Sequence, residues 1–142
     1  MKKIHVLFLC TGNSARSQMA EAILRDADPD RFEPFSAGLE PGIIHPLTIQ
    51  VLQEIGIDAS GQYAKGLDEF MGKKTFDYLI TVCSNAEERC PFFPGMGKRL
   101  HWPFEDPAAF IGSAEDQLSL FCEVRDQIMI RVREWLEETG NR

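Results

Sequence analysis

The sequence lacks the features of membrane-spanning, nucleic-acid-binding and repeat proteins. None of its apolar segments is long enough to cross a bilayer, and it contains no internal repeat, low-complexity stretch or linker. Basic residues are fewer than acidic ones, 15 against 22, so the formal net charge is −7 and neither nucleic acid nor an anionic membrane is an expected partner. Its 142 residues are enough for one packed core, which predicts a single domain over residues 1–142.

The N-terminal segment also lacks the features of a signal peptide. Two lysines precede the apolar residues up to Cys10, but this run is too short and no small-residue cleavage site follows it. We therefore expect a cytoplasmic protein, and in that reducing compartment the four cysteines are not expected to form permanent disulfides. Their spacing is not that of a zinc site, so we expect no metal and no cofactor, and the thiols call for a chemical explanation.

Residues 10–17, Cys-Thr-Gly-Asn-Ser-Ala-Arg-Ser, carry the strongest chemical signal. The apolar residues before Cys10 predict a buried strand, and the apolar spacing from Ala15 to Leu24 predicts a helix after it. Cys10 is therefore expected where unpaired N–H groups and the positive end of the helix dipole collect. Both favour the thiolate over the thiol, so we expect a lowered pKa for Cys10.

The residues after Cys10 suit the binding of a tetrahedral oxyanion. Backbone N–H groups can wrap the anion, Arg16 offers a planar fork to two of its oxygens, and Ser17 can donate a hydrogen bond to the sulfur. Gly12 is expected to allow a turn that a Cβ would block. The candidate catalytic residues of this loop are Cys10, Arg16 and Ser17, and the candidate anion-binding residues are Thr11, Gly12, Asn13, Ser14, Ala15 and Arg16. A buried structural cysteine beside a surface arginine is the alternative, but it does not explain why all these parts occur together.

This loop resembles the signature of the low-molecular-weight tyrosine phosphatase family, in which five residues separate a cysteine from an arginine that is followed by serine or threonine. In addition to Cys10 and Arg16, Asn13 and Ser17 also match the signature of that family. The resemblance implies an α/β fold: a four-stranded parallel sheet flanked by helices on both faces, in a flavodoxin-like three-layer sandwich.

The rest of the chain alternates between strand and helix patterns, as such a fold requires. Strands are predicted at residues 32–36, 76–82 and 99–104, and helices at residues 46–55 and 113–139. Ser113 is the predicted N-cap of the last helix, and Gly140 is predicted just past its end. The stretch 61–74 is predicted as loop with a short helix around residues 67–71.

Cys83 and Cys90 form a second group of candidate residues. Cys83 ends a predicted strand, so we expect it on the same sheet edge as Cys10. Residues 84–89 look helical, which separates the two cysteines by roughly 10 Å at about 1.5 Å per residue. A disulfide needs Cα atoms about 4.4–6.8 Å apart, so the pair can bond only if this segment unwinds. Pro91 and the glycines at positions 95 and 97 supply a break and slack.

The cysteine pair resembles the two redox cysteines of the thioredoxin-coupled arsenate reductases, which share the phosphatase fold. Residues 101–108, His-Trp-Pro-Phe-Glu-Asp-Pro-Ala, are similar to that branch as well, whereas phosphatases of this fold usually continue Asp-Pro with aromatic residues. The similarity covers almost the whole chain, from Val6 to the C-terminal helix.

The resemblance implies a relay between thiols. The Cys10 thiolate attacks arsenate and Asp106 protonates the departing oxygen. Cys83 then attacks the Cys10 sulfur so that arsenite leaves, and Cys90 bonds to Cys83. Thioredoxin is the implied reductant, with a glutaredoxin or another small thiol left open, and a monomer is expected.

Two other function classes stay open. One is a phosphatase acting on phosphotyrosine-like monoesters, and the other is a non-enzymatic phosphocysteine carrier or thiol sensor. Arg16 and Asp106 argue against the carrier, because a carrier needs no acid for a leaving group.

Several candidate residues also have simpler interpretations. Asp106-Pro107 is a common turn sequence, Cys83 can be a small core residue, and Cys90 can be incidental. Three residues are interpreted as core or supporting groups rather than catalysts: Cys122, His101 and Trp102.

Relatives have a potassium site behind the loop, and Asn13, Glu21 and Ser36 match residues of that site. This sequence departs from those relatives at position 65. Lys65 stands where an acidic residue is expected. Its ammonium can take the place of the cation and pair with Glu21, or it can be solvated on the surface. We therefore do not predict a bound potassium ion.

Overall fold

The computed structural model describes residues 2–92 and 94–140 and alternates strands with helices along the chain. Its strands are β1 Ile4–Cys10, β2 Phe32–Gly38, β3 Tyr78–Thr81 and β4 Lys98–His101. Its α-helices are α1 Arg16–Ala27, α2 Pro46–Gln53, α3 Ser84–Arg89 and α4 Ala114–Gly140, and short 3₁₀ turns lie at Leu67–Glu69 and Pro107–Ala109. All strand pairs are parallel, in the order β2-β1-β3-β4. The predicted α/β fold with a four-stranded parallel sheet and flanking helices is confirmed.

Both faces of the central strand are covered, as is usual in a parallel sheet. Residues Val6–Cys10 of β1 are all buried. On one face, Trp135 of α4 packs against Phe32 and Tyr78, with ring centroids 5.1 and 5.0 Å apart. On the other face, Phe35 packs edge to face on Phe70 and Phe76. Aromatic side chains on both sides therefore hold the sheet between its covering layers.

Several element ends differ from the prediction. β3 stops at Thr81 and Cys83 becomes the N-cap of α3, so the strand does not run to residue 82. β4 stops at His101, although the Phe104 N–H still donates to the Val82 carbonyl at 3.1 Å. α2 ends at Gln53, and the chain turns through Gly56, whose φ is +81°. The predicted Ser113 cap is present, since its hydroxyl accepts a hydrogen bond from the Asp116 N–H at 3.1 Å.

The topology brings the two cysteine segments to one sheet edge. β1 and β3 are hydrogen-bonded neighbours, and Leu9 is the register partner of Thr81. Their carboxyl ends therefore lie side by side, with Cys10 at the end of β1 and Cys83 just beyond β3. Across residues 2–92 and 94–140, none of the helices is both long and apolar enough to cross a membrane.

Gly38 at the end of β2 lets the loop after β1 approach the sheet. A Cβ at this position would lie 2.6 Å from the Thr11 carbonyl oxygen and 2.9 Å from the Asn13 nitrogen. Both atoms belong to the backbone, so neither can move aside without distorting the loop.

We predict that Gly38→Ala lowers the free energy of unfolding by about 1–3 kcal/mol, as overpacking of a dense region does. Urea denaturation measures it. The control is Gly42→Ala, because a Cβ at Gly42 meets nothing within 4 Å. Equal stability of the two variants would contradict this role of Gly38.

Candidate active site

The loop between β1 and α1 turns its carbonyl groups outward. Each of four loop carbonyls accepts a hydrogen bond from a backbone N–H in the segment 39–45, at 2.8–3.1 Å; the carbonyls are those of Cys10, Thr11, Gly12 and Ser14. In a trans peptide the C=O and the following N–H point in opposite directions, so the amides that follow these carbonyls are directed to the inside of the loop. Asn13 N–H does point inward, since it donates to Cys10 Sγ at 3.1 Å. The loop thus forms a concave set of donors of the kind that binds anions.

Asn13, rather than Gly12, has the special backbone conformation of this loop. Its φ is +51°, a left-handed conformation that asparagine adopts more readily than most residues. Its side-chain Nδ2 donates to Ser17 Oγ at 2.8 Å, and its Oδ1 accepts from Gln18 Nε2 and from the Lys65 N–H, each at 2.9 Å. The expectation that Gly12 permits a turn closed to other residues is wrong, because a Cβ there would meet only Ser14 Cβ at 3.8 Å.

The Cys10 thiol is buried among groups that favour its ionised form. Burial raises the pKa of Cys10 above its ordinary value, and the Ser17 hydroxyl, Arg16 and the Asn13 amide oppose this rise. The expectation of a lowered pKa is therefore wrong: desolvation outweighs the favourable contacts. Ser17 Oγ lies 2.8 Å from the sulfur, where its hydroxyl can donate to a thiolate.

Arg16 and Asp106 lie together at the mouth of this loop. Arg16 Nη2 is 3.5 Å from Asp106 Oδ2, and Arg16 Nη1 donates to the Phe104 carbonyl at 3.2 Å. Asp106 Oδ1 accepts from the Ala108 N–H at 3.0 Å and so caps the short 3₁₀ turn, while 39% of its side chain stays exposed. The turn interpretation of Asp106 is therefore correct, and the same turn holds its second oxygen beside the guanidinium.

Cys83 lies against the first residue of the loop. Its buried sulfur is 3.5 Å from Thr11 Oγ1, which also accepts a hydrogen bond from Asn85 Nδ2 at 2.8 Å. The Ala86 N–H donates to the same sulfur at 3.4 Å, so Cys83 caps α3 with its side chain. The structure thus brings a second thiol to the loop that carries Cys10.

Cys90 lies at the opposite end of α3 and is not brought to that loop. Its N–H donates to the Ala86 carbonyl at 2.9 Å, which completes the last helical turn. Its thiol is buried, and burial raises the pKa of Cys90 while Arg99 opposes the rise. All four cysteines are free thiols, and the intact helix keeps Cys83 and Cys90 apart.

The remaining candidate residues pack or support other groups. His101 contacts Thr81 and Glu87, and Trp102 is buried against Phe8. Cys122 lies only at the margin of the core, where its thiol donates to Glu54 Oε1 at 3.5 Å, so its interpretation as a core residue is only partly correct. Among the described residues, no group of three or more His, Cys, Asp or Glu side chains is arranged to hold a metal ion.

Lys65 is paired rather than solvated. Its side chain is 9% exposed, and its ammonium lies 3.9 Å from Glu21 Oε1 and donates to the Tyr63 carbonyl at 2.9 Å. Ser36 donates to the same carboxylate oxygen at 2.6 Å, and burial lowers the pKa of Lys65. A potassium ion here would meet a like charge at close range, so these residues do not fit one.

Sequence reasoning missed the residues that brace the loop from outside. Gln18 Nε2 donates to both oxygens of Asn13 and to the Tyr63 carbonyl, and the segment 39–45 binds the loop carbonyls. Gln18 occupies a buried position in α1, and a buried glutamine needs partners. Its place in the apolar pattern of α1 was the available signal, whereas nothing in residues 39–45 indicated their contacts.

Comparison with known proteins gives consistent matches over nearly the full length. The family model described as low molecular weight phosphotyrosine protein phosphatase matches residues 5–142. An arsenate reductase of Shouchella clausii is 39% identical over 137 residues, which cover 96% of this chain and 98% of that protein. The solved structure of an arsenate reductase in the phosphate-binding state superposes with a TM-score of 0.78 at 30% identity, covering 95% of this chain and 98% of that one.

A further solved structure is a thioredoxin-dependent arsenate reductase of Corynebacterium glutamicum. It superposes with a TM-score of 0.71 at 30% identity, and the match covers 96% of this chain and 61% of that one.

We predict that Ser17→Ala slows alkylation of Cys10 by iodoacetamide at pH 7 about tenfold, since a hydrogen bond to a charged group contributes about 1.5 kcal/mol or more. Burial raises the pKa of Cys10. The alkylation rate of Cys10 in the unmodified protein should therefore keep increasing with pH above the pH at which the alkylation rate of an exposed cysteine reaches its plateau. Mass spectrometry of the Cys10 peptide gives the rates. Ser14→Ala, in the same loop, is the control, and an equal effect of both changes would contradict the role of Ser17.

Lys65→Met should lower the free energy of unfolding by about 1–2 kcal/mol. This loss of stability is smaller than the loss expected when a buried charge is left without a partner, because Glu21 keeps its contacts with Arg25 and Ser36. Thermal or urea unfolding tests it, with exposed Lys73→Met as the control. If Lys65→Met is as stable as the control, the Lys65 ammonium does not stabilise the fold through Glu21 and the Tyr63 carbonyl.

Proposed function

This chain belongs to the low molecular weight phosphotyrosine protein phosphatase family, and we propose that it reduces arsenate to arsenite with three of its cysteines. Arsenate reductase is favoured over phosphatase as its function, since a relative with that name is 39% identical over nearly the whole chain. The observation that carries the proposal is the position of Cys83, whose sulfur lies 3.5 Å from Thr11 Oγ1 on the loop that follows Cys10. A phosphatase needs one thiol at this site, whereas reduction of arsenate needs a place for two electrons.

The first step is attack by the Cys10 thiolate on arsenic. The inward amides of the loop and Arg16 hold the oxygens of arsenate. The partial positive charge of the amides and the full charge of Arg16 offset the negative charge of the anion. A bond forms between sulfur and arsenic while a bond between arsenic and oxygen breaks. Asp106, fixed by its capping contact beside Arg16, supplies the proton with which that oxygen leaves as water.

Reduction takes place in the second step. The Cys83 thiolate attacks the Cys10 sulfur, so that the Cys10–Cys83 disulfide forms and the bond between sulfur and arsenic breaks. The electron pair of that bond stays with arsenic, which leaves as arsenite. The nearness of Cys83 to Thr11 supports this step, because the attacking sulfur starts beside the loop.

The third step is an exchange between sulfurs with no net oxidation. The Cys90 thiolate attacks Cys83, the Cys83–Cys90 disulfide forms, and Cys10 leaves as a thiolate ready for another turnover. This step requires α3 to unwind, since its six residues separate the two cysteines. An external dithiol protein then reduces the Cys83–Cys90 disulfide and takes over the oxidising equivalent.

The surroundings of the reaction follow from the same chemistry. We infer a thioredoxin as the external dithiol, because a solved relative is described as thioredoxin-dependent. Free thiols persist in a reducing compartment, which supports a cytoplasmic location. We further infer one catalytic domain over residues 1–142 that acts as a monomer.

Hydrolysis of phosphomonoesters is the second candidate function. Cys10, Arg16 and Asp106 are sufficient for formation and hydrolysis of a phosphocysteine, and the arrangement of these three residues supports it as a side activity. Rapid hydrolysis of an aryl phosphate together with an absence of arsenate turnover would make this the main function.

We predict that Cys90→Ser stops arsenate reduction after one equivalent of arsenite per protein, because the oxidising equivalent then stays on Cys10 and Cys83. Arsenite is measured against time with an excess of thioredoxin, thioredoxin reductase and NADPH. Cys122→Ser is the control and should turn over continuously, since Cys122 lies at the margin of the core. Continuous turnover by Cys90→Ser would refute the relay.

A further inference from the structure

Arg99 of β4 binds the C-terminal end of α3. Side chains two apart on a strand share a face, so Arg99 and His101 both project toward α3. Arg99 Nη1 donates to the Cys90 carbonyl at 3.3 Å, and Arg99 Nη2 donates to the Glu87 carbonyl. The last carbonyls of a helix have no partner within it, and a cation is favoured at that end. One guanidinium therefore satisfies two backbone groups of the segment that ends at Cys90.

Glu87 binds α3 to the sheet from the middle of the helix. Its carboxylate accepts a hydrogen bond from the Thr81 hydroxyl, and it lies 3.2 Å from Arg99 Nε and 3.4 Å from His101 Nδ1. Thr81 is fully buried at the end of β3. We call the four residues Thr81, Glu87, Arg99 and His101 the α3 latch.

Formation of a Cys83–Cys90 disulfide would have to break contacts of the α3 latch. The disulfide requires the helix to unwind, and unwinding moves the Glu87 and Cys90 carbonyls away from Arg99. The latch is incomplete, because the buried Arg99 Nε lies close to Glu87 Oε1 without the angle of a hydrogen bond.

The residue beyond Cys90 is in contact with the same guanidinium. Phe92 is 83% exposed, and its ring centroid lies 5.1 Å from the Arg99 guanidinium carbon. Arg99 thus contacts the segment on both sides of Pro91, at Cys90 and at Phe92.

We propose that Arg99 and Glu87 are positioning residues that set the redox equilibrium of the Cys83–Cys90 pair. They favour the dithiol, in which α3 is helical, over the disulfide. The inference rests on the proposed relay and adds that the latch makes the disulfide easier for the external dithiol to reduce. Without the latch, the disulfide is favoured more strongly over the dithiol.

The test is the equilibrium of the pair with reduced and oxidised dithiothreitol. As Cys83 and Cys90 join, they give two electrons and two protons to oxidised dithiothreitol, whose own disulfide opens. The background is the full chain with Cys10→Ser and Cys122→Ser, so that only the pair of interest reacts. Mass spectrometry after acid quenching and alkylation gives the fraction oxidised.

In this background, Arg99→Gln should shift the equilibrium about tenfold toward the disulfide, which is the effect of losing a hydrogen bond to a charged group. For a two-electron couple a tenfold change corresponds to about 30 mV. Arg99→Lys keeps the charge but not the fork, so it should give a smaller shift. Glu87→Gln should act in the same direction as Arg99→Gln and serves as the second variant if Arg99→Gln folds poorly.

The control is Arg89→Gln on the same helix. Arg89 pairs with Glu40 at 2.6 Å, and both side chains are largely exposed, so its loss should change the equilibrium by less than about twofold. An unchanged equilibrium in Arg99→Gln and Glu87→Gln would overturn the latch while leaving the relay intact. An equal shift in Arg89→Gln would also overturn it, since any weakening of α3 would then suffice. If the background protein forms no Cys83–Cys90 disulfide, both the relay and the latch are wrong.

Discussion

The site depends on the left-handed backbone of Asn13. This conformation costs about 1–2 kcal/mol for a residue with a Cβ, and the contacts that it permits offset the cost. The Asn13 amide reaches Cys10 Sγ, its side chain reaches Ser17, and its Oδ1 is held by Gln18 and the Lys65 backbone. One residue thus connects the Cys10 thiol, the Ser17 hydroxyl and the supporting segments. The inward direction of the neighbouring amides follows from the outward carbonyls that residues 39–45 bind.

In the proposed relay, the second half of the chemistry depends on a short helix with a cysteine at each end. Cys83 caps the start of α3 and Cys90 completes its last turn, so the helix that positions both thiols also keeps them apart. A helix of six residues is too short to be stable alone, and its contacts with β3 and β4 hold it in place. Contacts through side chains can be broken and remade without disturbing the buried strands beneath. The proposed relay therefore requires α3 to change conformation while the sheet on which it packs stays unchanged.

Local features of the site could be predicted from the sequence, and features that depend on distant residues could not. The strand, loop and helix around Cys10 are adjacent in sequence, so their order and their anion-binding character were readable. The left-handed conformation of Asn13 could not be predicted in full, because one of the contacts that support it comes from the distant Lys65 backbone. The predicted direction of the Cys10 pKa shift is wrong because the sequence shows where the helix starts but not how deeply the thiol is buried. The pairing of Lys65 with Glu21 stayed open for the same reason.

The order in which disulfides form in the unmodified protein after addition of one equivalent of arsenate tests the relay most directly. Samples are quenched with acid at successive times, free thiols are alkylated, and the disulfides are identified by mass spectrometry. The relay predicts that Cys10–Cys83 appears first, together with arsenite, and is replaced by Cys83–Cys90. Release of arsenite while Cys83 and Cys90 remain free thiols would contradict it.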